Sequence, residues 1–573
     1  MRGLEGAGGR LRAAAGESVL LNRFFRGETE QESARPGRTR FRVMQGQETS
    51  RVRGWMNRIW ERMLAAAVGS LALTVFLAAA VTLILLFTNG NGRMGMPAAV
   101  ALLSVLPGLG ERRSLSHCLL EGRLTGPFLT GFCGLSPDRL GEGGAGVGVV
   151  HRFLPLFYGI TAGIVGAFLP PPVLPLAIPV AAVWFLFRAV PELSVLALLL
   201  AFPFLPLLPH PTLMLTAGAA LSLAVFAGKW LSGRRDFRWQ PVDRCVAAFC
   251  AVYLLAGGGT GAGMALLTAG GWFTVRNLGA RWRARAAGCL ILSVSVTAGI
   301  GLAEYATGRA ALRWVDLTCF SDIGGRVCAT FDNPNILAVC LLAVYPLALG
   351  GAGLFKRTAA RIASGIGAGC IAACTVLTWS RGAWLGILLE TLVFLLLFSR
   401  RTLAVLAVLP LPVAAVLPYL PHSLTNRFTS IGNLAESSVR YRLEVWQGVF
   451  RMLAANPFGI GPREADFRRI WQRFALPGTE TVMHAHALFP QTALETGLAG
   501  AAVFAVLLVC LARTFRPGGL PVSGLSALCG LLVMGLFDHL WYARGMVWLT
   551  FAVAALIPAA REEETRNAAM ELD

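Results

Sequence analysis

From Leu64 to Ala560 the chain repeats one feature, apolar stretches of about 17 to 25 residues, which is the length a helix needs to cross the hydrocarbon core of a bilayer. Lipid offers no partner to a backbone N–H or C=O, so only helices and closed barrels span it. The alternating short strands of a membrane barrel are absent. Helix is what remains. Of 573 residues, 55% are hydrophobic and only 14% are charged, well below the roughly 25% charged of a soluble domain. The expected fold is all-α, a polytopic transmembrane bundle of about 12–16 helices with one large outer-face loop carrying amphipathic helices.

The apolar stretches place 14 to 16 spans. After a first helix near 63–87 and a shorter one near 95–109, they fall near 153–170, 172–189, 193–208, 211–229, 243–258, 260–277, 286–303, 334–354, 360–378, 382–399, 402–420, 486–511, 519–537 and 543–560. Residues 1–61, polar and rich in Gly and Arg, read as a basic, disordered cytoplasmic arm. One or two helices and a Gly-rich loop follow (62–152), then the main bundle (153–420), an extracytoplasmic loop (421–485), the C-terminal helices (486–560) and a cytoplasmic tail (561–573). The short loops orient the chain. Cations cluster at Lys229 with Arg234 and Arg235, at Arg281–Arg285, at Lys356–Arg361, at Arg400 with Arg401, and at Arg513 with Arg516. All five clusters fall on one side, which the positive-inside rule makes cytoplasmic.

The net charge of +20 invites a nucleic-acid reading, but the cations sit mainly in the arm and in the short inter-helix loops, so no nucleic-acid partner is expected. The 12 cysteines form no C-x-x-C pair or metal spacing; Cys319 and Cys328 share one loop and read as unpaired thiols rather than a disulfide.

Polar residues with chemistry collect at the other face: Arg326, Arg381, Arg442, His484, His486, Asp538, His539 and Arg544. Residues 436–454 read as an amphipathic helix with Ser437 or Ser438 as N-cap and Asn456-Pro457 at its end. At 100° per residue, Val439, Leu443, Trp446, Val449, Phe450 and Leu453 share an apolar arc, opposite Arg440, Glu444, Gln447 and Arg451. Arg442 falls inside the apolar arc. It either meets an anion or snorkels to the interface. His484 and His486, two residues apart, would diverge by about 200° on a helix, a poor arrangement for one metal ion. They read as interfacial polar residues or as a general base toward a hydroxyl.

Five fragments, in order, resemble a family. Arg326 with Phe331-Asp332-Asn333-Pro334-Asn335 and Leu337-Ala338 is similar to "R…TF.NPN.LA". Ser380-Arg381-Gly382-Ala383 resembles "SRGA", Arg442 with Trp446 resembles "R…W", and Asn456-Pro457-Phe458-Gly459-Ile460-Gly461 resembles "P.GIG". His484-Ala485-His486 with Glu495, Gly497 and Gly500 resembles "HAHN…E.G..G", with Ala487 where the family usually has Asn. Together, over roughly 320–540, they resemble the O-antigen ligase and O-antigen polymerase family, bacterial membrane glycosyltransferases of the GT-C type.

That resemblance implies glycan transfer at the outer face of the cytoplasmic membrane, from a polyprenyl-diphosphate-linked donor such as one on undecaprenyl diphosphate, to a glycan, lipid or protein acceptor. Arg326 and Arg442, with Arg381, would bind the diphosphate, because guanidinium groups grip a developing phosphate anion at two points. His486 or His484 would deprotonate or orient the acceptor hydroxyl, supported by Glu495, Asn333 and Asn335. No Asp-x-Asp occurs, so neither metal nor cofactor is expected. Glu390, within an apolar span, is expected to hydrogen-bond between helices. The alternatives are a polysaccharide polymerase of the same family and, in another class, a lipid-linked-glycan flippase or transporter. A transporter should carry ionisable groups along a mid-membrane path.

Overall fold

The computed structural model describes residues 68–88, 96–111, 113–133, 158–164, 190–231, 239–312, 325–398 and 437–558, with a few isolated positions between them. The arm 1–61, the tail 561–573, the spans near 172–189 and 402–420 and most of that near 153–170 lie outside the described residues. The chain divides into two compact units at Pro191/Glu192.

In the first unit α1 (Val68–Thr88) packs on α2 (Met96–Val105), and α3 (Leu115–Glu121) follows. The start of α1 is held by Val68 and Gly69, whose N–H groups donate to the carbonyls of Arg113 and Glu111.

The second unit holds thirteen described helices: α4 (Glu192–Ala201), α5 (Pro211–Leu231), α6 (Pro241–Ala256), α7 (Gly258–Arg276), α8 (Ala280–Ala306), α9 (Pro334–Leu354), α10 (Thr358–Leu377), α11 (Arg381–Phe398), α12 (Ser437–Ala455), α13 (Glu464–Trp471), α14 (Leu488–Thr514), α15 (Gly519–Gly535) and α16 (Gly545–Ala554). Their bounds follow the apolar stretches, and proline opens α5, α6 and α9 where its missing N–H costs nothing. Across both units seven described helices (α1, α5, α8, α9, α10, α11 and α14) are long and apolar enough to cross a membrane, and α15 and α16 are shorter apolar helices. The protein is an all-α polytopic membrane protein.

Helix α9 forms the centre, packed by α8, α10, α11, α15 and α16. Close approach depends on small residues. A Cβ at Gly386 of α11 would stand 3.0 Å from the Gly530 carbonyl of α15, and one at Gly271 of α7 would collide with the Trp548 carbonyl of α16. Because successive helices alternate in direction, the C-terminal ends of α8, α10 and α15 meet the N-terminal ends of α9, α11, α14 and α16 at one end of the bundle. At the opposite end Arg283 is fully buried. It donates to the carbonyls of Leu278 (3.1 Å), Arg276 (3.2 Å) and Pro558 (2.7 Å), satisfying chain ends that have no helical partner.

Two expectations are corrected. Glu390 is fully buried between α11 and α15, yet among the described residues neither carboxyl oxygen has a hydrogen-bond partner. The facing residue, Gly530, has no side chain to offer it one. The buried face of α12 is turned from the expected arc: Val445, Val449 and Met452 are buried against Phe467, Trp471, Ala485 and Leu494, while Leu443 and Phe450 are exposed. Only part of an apolar arc meets the protein, and Gly448 decides which part, by letting Trp471 of α13 close in.

Candidate functional site

The segment after α13 returns to the bundle at Met483–Ala487, and this return carries both histidines. It is not helical. α14 begins only at Leu488, and His486 has φ +48°, a left-handed conformation that a side-chain-bearing residue adopts at a cost. The helical divergence expected for two histidines therefore does not apply. Their rings lie 4.2 Å apart, and the His486 N–H donates to His484 Nδ1 at 3.2 Å. With Nδ1 accepting, the neutral His484 ring carries its proton on Nε2. Burial first, then the charges of His486 and Arg442, bring His484 down to about 4.

The turn is anchored at a single residue. The Ala485 N–H donates to Gln491 Oε1 at 2.8 Å, and the Ala485 carbonyl accepts from Trp446 Nε1 of α12 at 3.1 Å. Ala487, the N-cap of α14, has no side-chain cap bond. An asparagine there would supply the cap.

Asp538, in the turn between α15 and α16, faces the histidines. Its Oδ1 lies 3.8 Å from His486 Nδ1 and accepts the His539 N–H at 2.8 Å. Its Oδ2 accepts from Asn335 Nδ2 at 2.7 Å. Burial would raise this carboxyl, but the neighbouring His486 imidazole and the charges of His484 and Arg442 hold it well below the usual carboxylate range. Burial also keeps His539 well below the ordinary imidazole value.

Asn335 ties this pair to Arg326: its Oδ1 accepts from Arg326 Nη2 at 2.7 Å, and Arg326 Nε donates to the Thr378 carbonyl at 2.7 Å. Burial draws Arg326 down to about 10, so it remains cationic at neutral pH. Asn333 has a different task, capping α9 through the Asn335 N–H at 2.8 Å. The loop of Arg326 is stitched to α8 by Glu304, whose Oε2 accepts the N–H groups of Cys328 (3.0 Å) and Ala329 (2.7 Å). Cys319 lies outside the described residues.

Arg442 is half-buried on α12, and its charge is felt by Asp538, His484 and Arg326. Arg440, two residues earlier, points to solvent and pairs with Glu444 at 3.1 Å. Arg381 is half-buried at the first turn of α11, at the same end of the bundle. Arg544 opens α16 at that end as well.

Glu495 lies one layer below. It accepts from Gln491 Nε2 and from the Tyr253 hydroxyl, both at 2.9 Å, and His539 Nε2 stands 3.9 Å away. Below this the α14 helix breaks at Gly497 (φ +76°). The freed Leu494 and Glu495 carbonyls accept from Ile460 (2.7 Å) and Gly461 (3.2 Å) of the turn after α12. Only glycine suits Gly497 and Gly459, because a Cβ on either would strike the other's backbone segment.

His484, His486 and Asp538 also form the group of described residues able to hold a metal ion, with ligand atoms within 4.8 Å of one another. The surroundings suit a dication poorly. His484 Nδ1 and both Asp538 oxygens are already accepting hydrogen bonds, and the Arg326 and Arg442 guanidinium groups repel a second positive charge. An anion suits them better.

Arg326, Arg381, Arg442, His484, His486, Glu495, Asn333 and Asn335 thus gather at one end of the bundle, although Asn333 is a cap and Arg326 Nε and Nη2 are bound by the protein. Sequence reasoning assigned no part to Asp538, Gln491, Tyr253 or Glu304. Gln491 and Glu495 are four apart on one helix, a spacing that signals a side-chain pair; Tyr253 carries no such signal.

No curated protein and no solved structure matches the chain. A family model does. Residues 366–505, the segment that brings Arg381, Arg442, His484, His486 and Glu495 to one end of the bundle, match the family described as O-antigen ligase.

Proposed function

We propose that the protein transfers a glycan from a polyprenyl-diphosphate-linked donor to an acceptor hydroxyl at the outer face of the cytoplasmic membrane. The observation that carries this reading is the chain Arg326–Asn335–Asp538–His486, a carboxylate–imidazole pair joined through one amide to a buried guanidinium. Asp538 favours the His486 tautomer with its proton on Nδ1, which leaves Nε2 as the base. The acceptor O–H gives its proton to His486 Nε2 as its oxygen attacks the anomeric carbon. The bond from that carbon to the phosphate oxygen breaks, and the polyprenyl diphosphate leaves with the electron pair. Arg326 and Arg442, with Arg381, stabilise the charge gathering on the diphosphate, where fixed cations in a partly dry site act most strongly. His484, with its Nδ1 occupied, supports the turn rather than serving as base. No metal is required, since the guanidinium groups take the electrophilic part.

The orientation is supported by the cation clusters of the short loops. Arg281–Arg285 opens α8 and Arg513 closes α14, both at the end of the bundle opposite His486. Glycan transfer from purified lipid-linked donor, with donor binding measured in parallel, tests the reading. His486→Ala is expected to abolish transfer and retain donor binding; full transfer by this variant would overturn it.

A further inference from the structure

We infer that Tyr253 is a positioning residue for the transfer reaction, acting through Glu495 and Gln491 on the turn that carries His486. The inference rests on the reading of His486 as the base, but its geometry stands independently. Tyr253 lies on α6, outside the segment that matches the family, and is fully buried. Its hydroxyl donates to Glu495 Oε2 at 2.9 Å, while Glu495 Oε1 accepts from Gln491 Nε2 at 2.9 Å. The carboxylate therefore dictates the amide's orientation: with Nε2 turned to Glu495, Oε1 must face the Ala485 N–H, which it meets at 2.8 Å. An amide flipped the other way would set one donor against another.

Ala485 is the residue between the two histidines, and Trp446 holds its carbonyl while Gln491 holds its N–H. His486 follows it with a positive φ, a conformation that needs outside support to persist. Tyr253 is thus three hydrogen bonds from the backbone of the base. Removing its hydroxyl leaves Glu495 with one donor fewer in a buried position and lets Gln491 turn. The aromatic packing is not at stake, because the ring of Tyr253 meets Phe249 edge-on at 5.1 Å, a contact phenylalanine retains.

The test compares Tyr253→Phe, Gln491→Ala and Glu495→Gln with the full-length wild-type protein, by transfer kinetics and by hydrogen–deuterium exchange of the peptide spanning Met483–Ala487. Tyr253→Phe is expected to lower kcat by about ten- to a hundredfold, as a displaced catalytic group does, with donor KM unchanged. Exchange at Ala485 should speed up in all three variants, since its N–H loses a fixed acceptor. Combining Tyr253→Phe with Gln491→Ala should cost no more than Gln491→Ala alone, because both act through one amide. Unchanged exchange in Tyr253→Phe overturns the inference whatever the kinetics, and so does faster exchange with unaltered kcat. If Tyr253→Phe fails to fold, Glu495→Gln, which removes one of the same two acceptors, decides by the same two readouts. If the wild type transfers no glycan, the functional reading fails, while the exchange data still report on the network.

Discussion

Asp538 Oδ1 stands 3.8 Å from His486 Nδ1 while its Oδ2 accepts the Asn335 amide at 2.7 Å, so one carboxylate joins the turn before α14 to the start of α9. Asp538→Asn keeps the shape but removes the charge that selects the His486 tautomer. Transfer is expected to fall by about 10²- to 10⁴-fold, the range open to a base held in the wrong tautomer. The check is kcat with donor binding alongside. Near-wild-type kcat would show that the pair is structural.

Arg442 and Arg440 differ by two residues and by their surroundings, the first within electrostatic reach of Asp538 and His484, the second in solvent with Glu444. Arg442→Lys retains charge but loses the planar fork. It should express and insert normally and lose most transfer, on the order of a hundredfold or more when an electrostatic contact to the transition state is removed. Arg440→Lys should be nearly silent, as exposed pairs contribute about 0–1 kcal/mol. The reverse pattern would place the active face of α12 on its other side.

His484 is neutral in the folded protein down to about 4, whereas an unfolded chain protonates it near 6.5. Its contribution to stability is therefore complete above about 6.5 and is lost as pH falls from there towards 4, because only the unfolded state takes up the proton in that window. Thermal unfolding followed across this range should show a falling midpoint. His484→Gln should make the slope shallower; an identical slope would contradict the hydrogen-bonded, neutral ring.

Glu390 has no partner for either oxygen inside the α11–α15 contact. A buried polar group without a hydrogen bond costs about 1–3 kcal/mol by mutational measures, and Glu390→Gln would retain much of that cost. Glu390→Leu should instead raise thermal stability and leave transfer unchanged. Loss of transfer in a well-folded Glu390→Leu would reveal a part for this carboxyl that its distance in sequence and structure from His486 does not suggest.

Excess chelator should leave transfer intact, because the electrophilic task falls to Arg326 and Arg442. Activity lost to EDTA and restored by a divalent ion would turn the His484, His486 and Asp538 group into a metal site.

Hydrophobic periodicity and length determined the spans, because lipid allows an apolar segment of about 20 residues only one regular structure. That is why the stretches near 334–354 and 360–378 coincide with α9 and α10 almost residue for residue. The same logic, with the cation clusters, assigns Arg326, Arg381, Arg442, His484 and His486 to one face. What it did not reach was direction and partnership. Whether His484 and His486 diverge or meet depended on a left-handed turn held by Trp446 and Gln491, and the buried face of α12 depended on Trp471 closing over Gly448. Asp538 and Tyr253 found their partners 52 residues before and 242 residues after them in the chain, His486 and Glu495. Local pattern fixes where a helix runs, but the rotation of each helix and the pairing of its polar groups are settled by packing and by the need to satisfy every buried donor, and only the tertiary structure decides those.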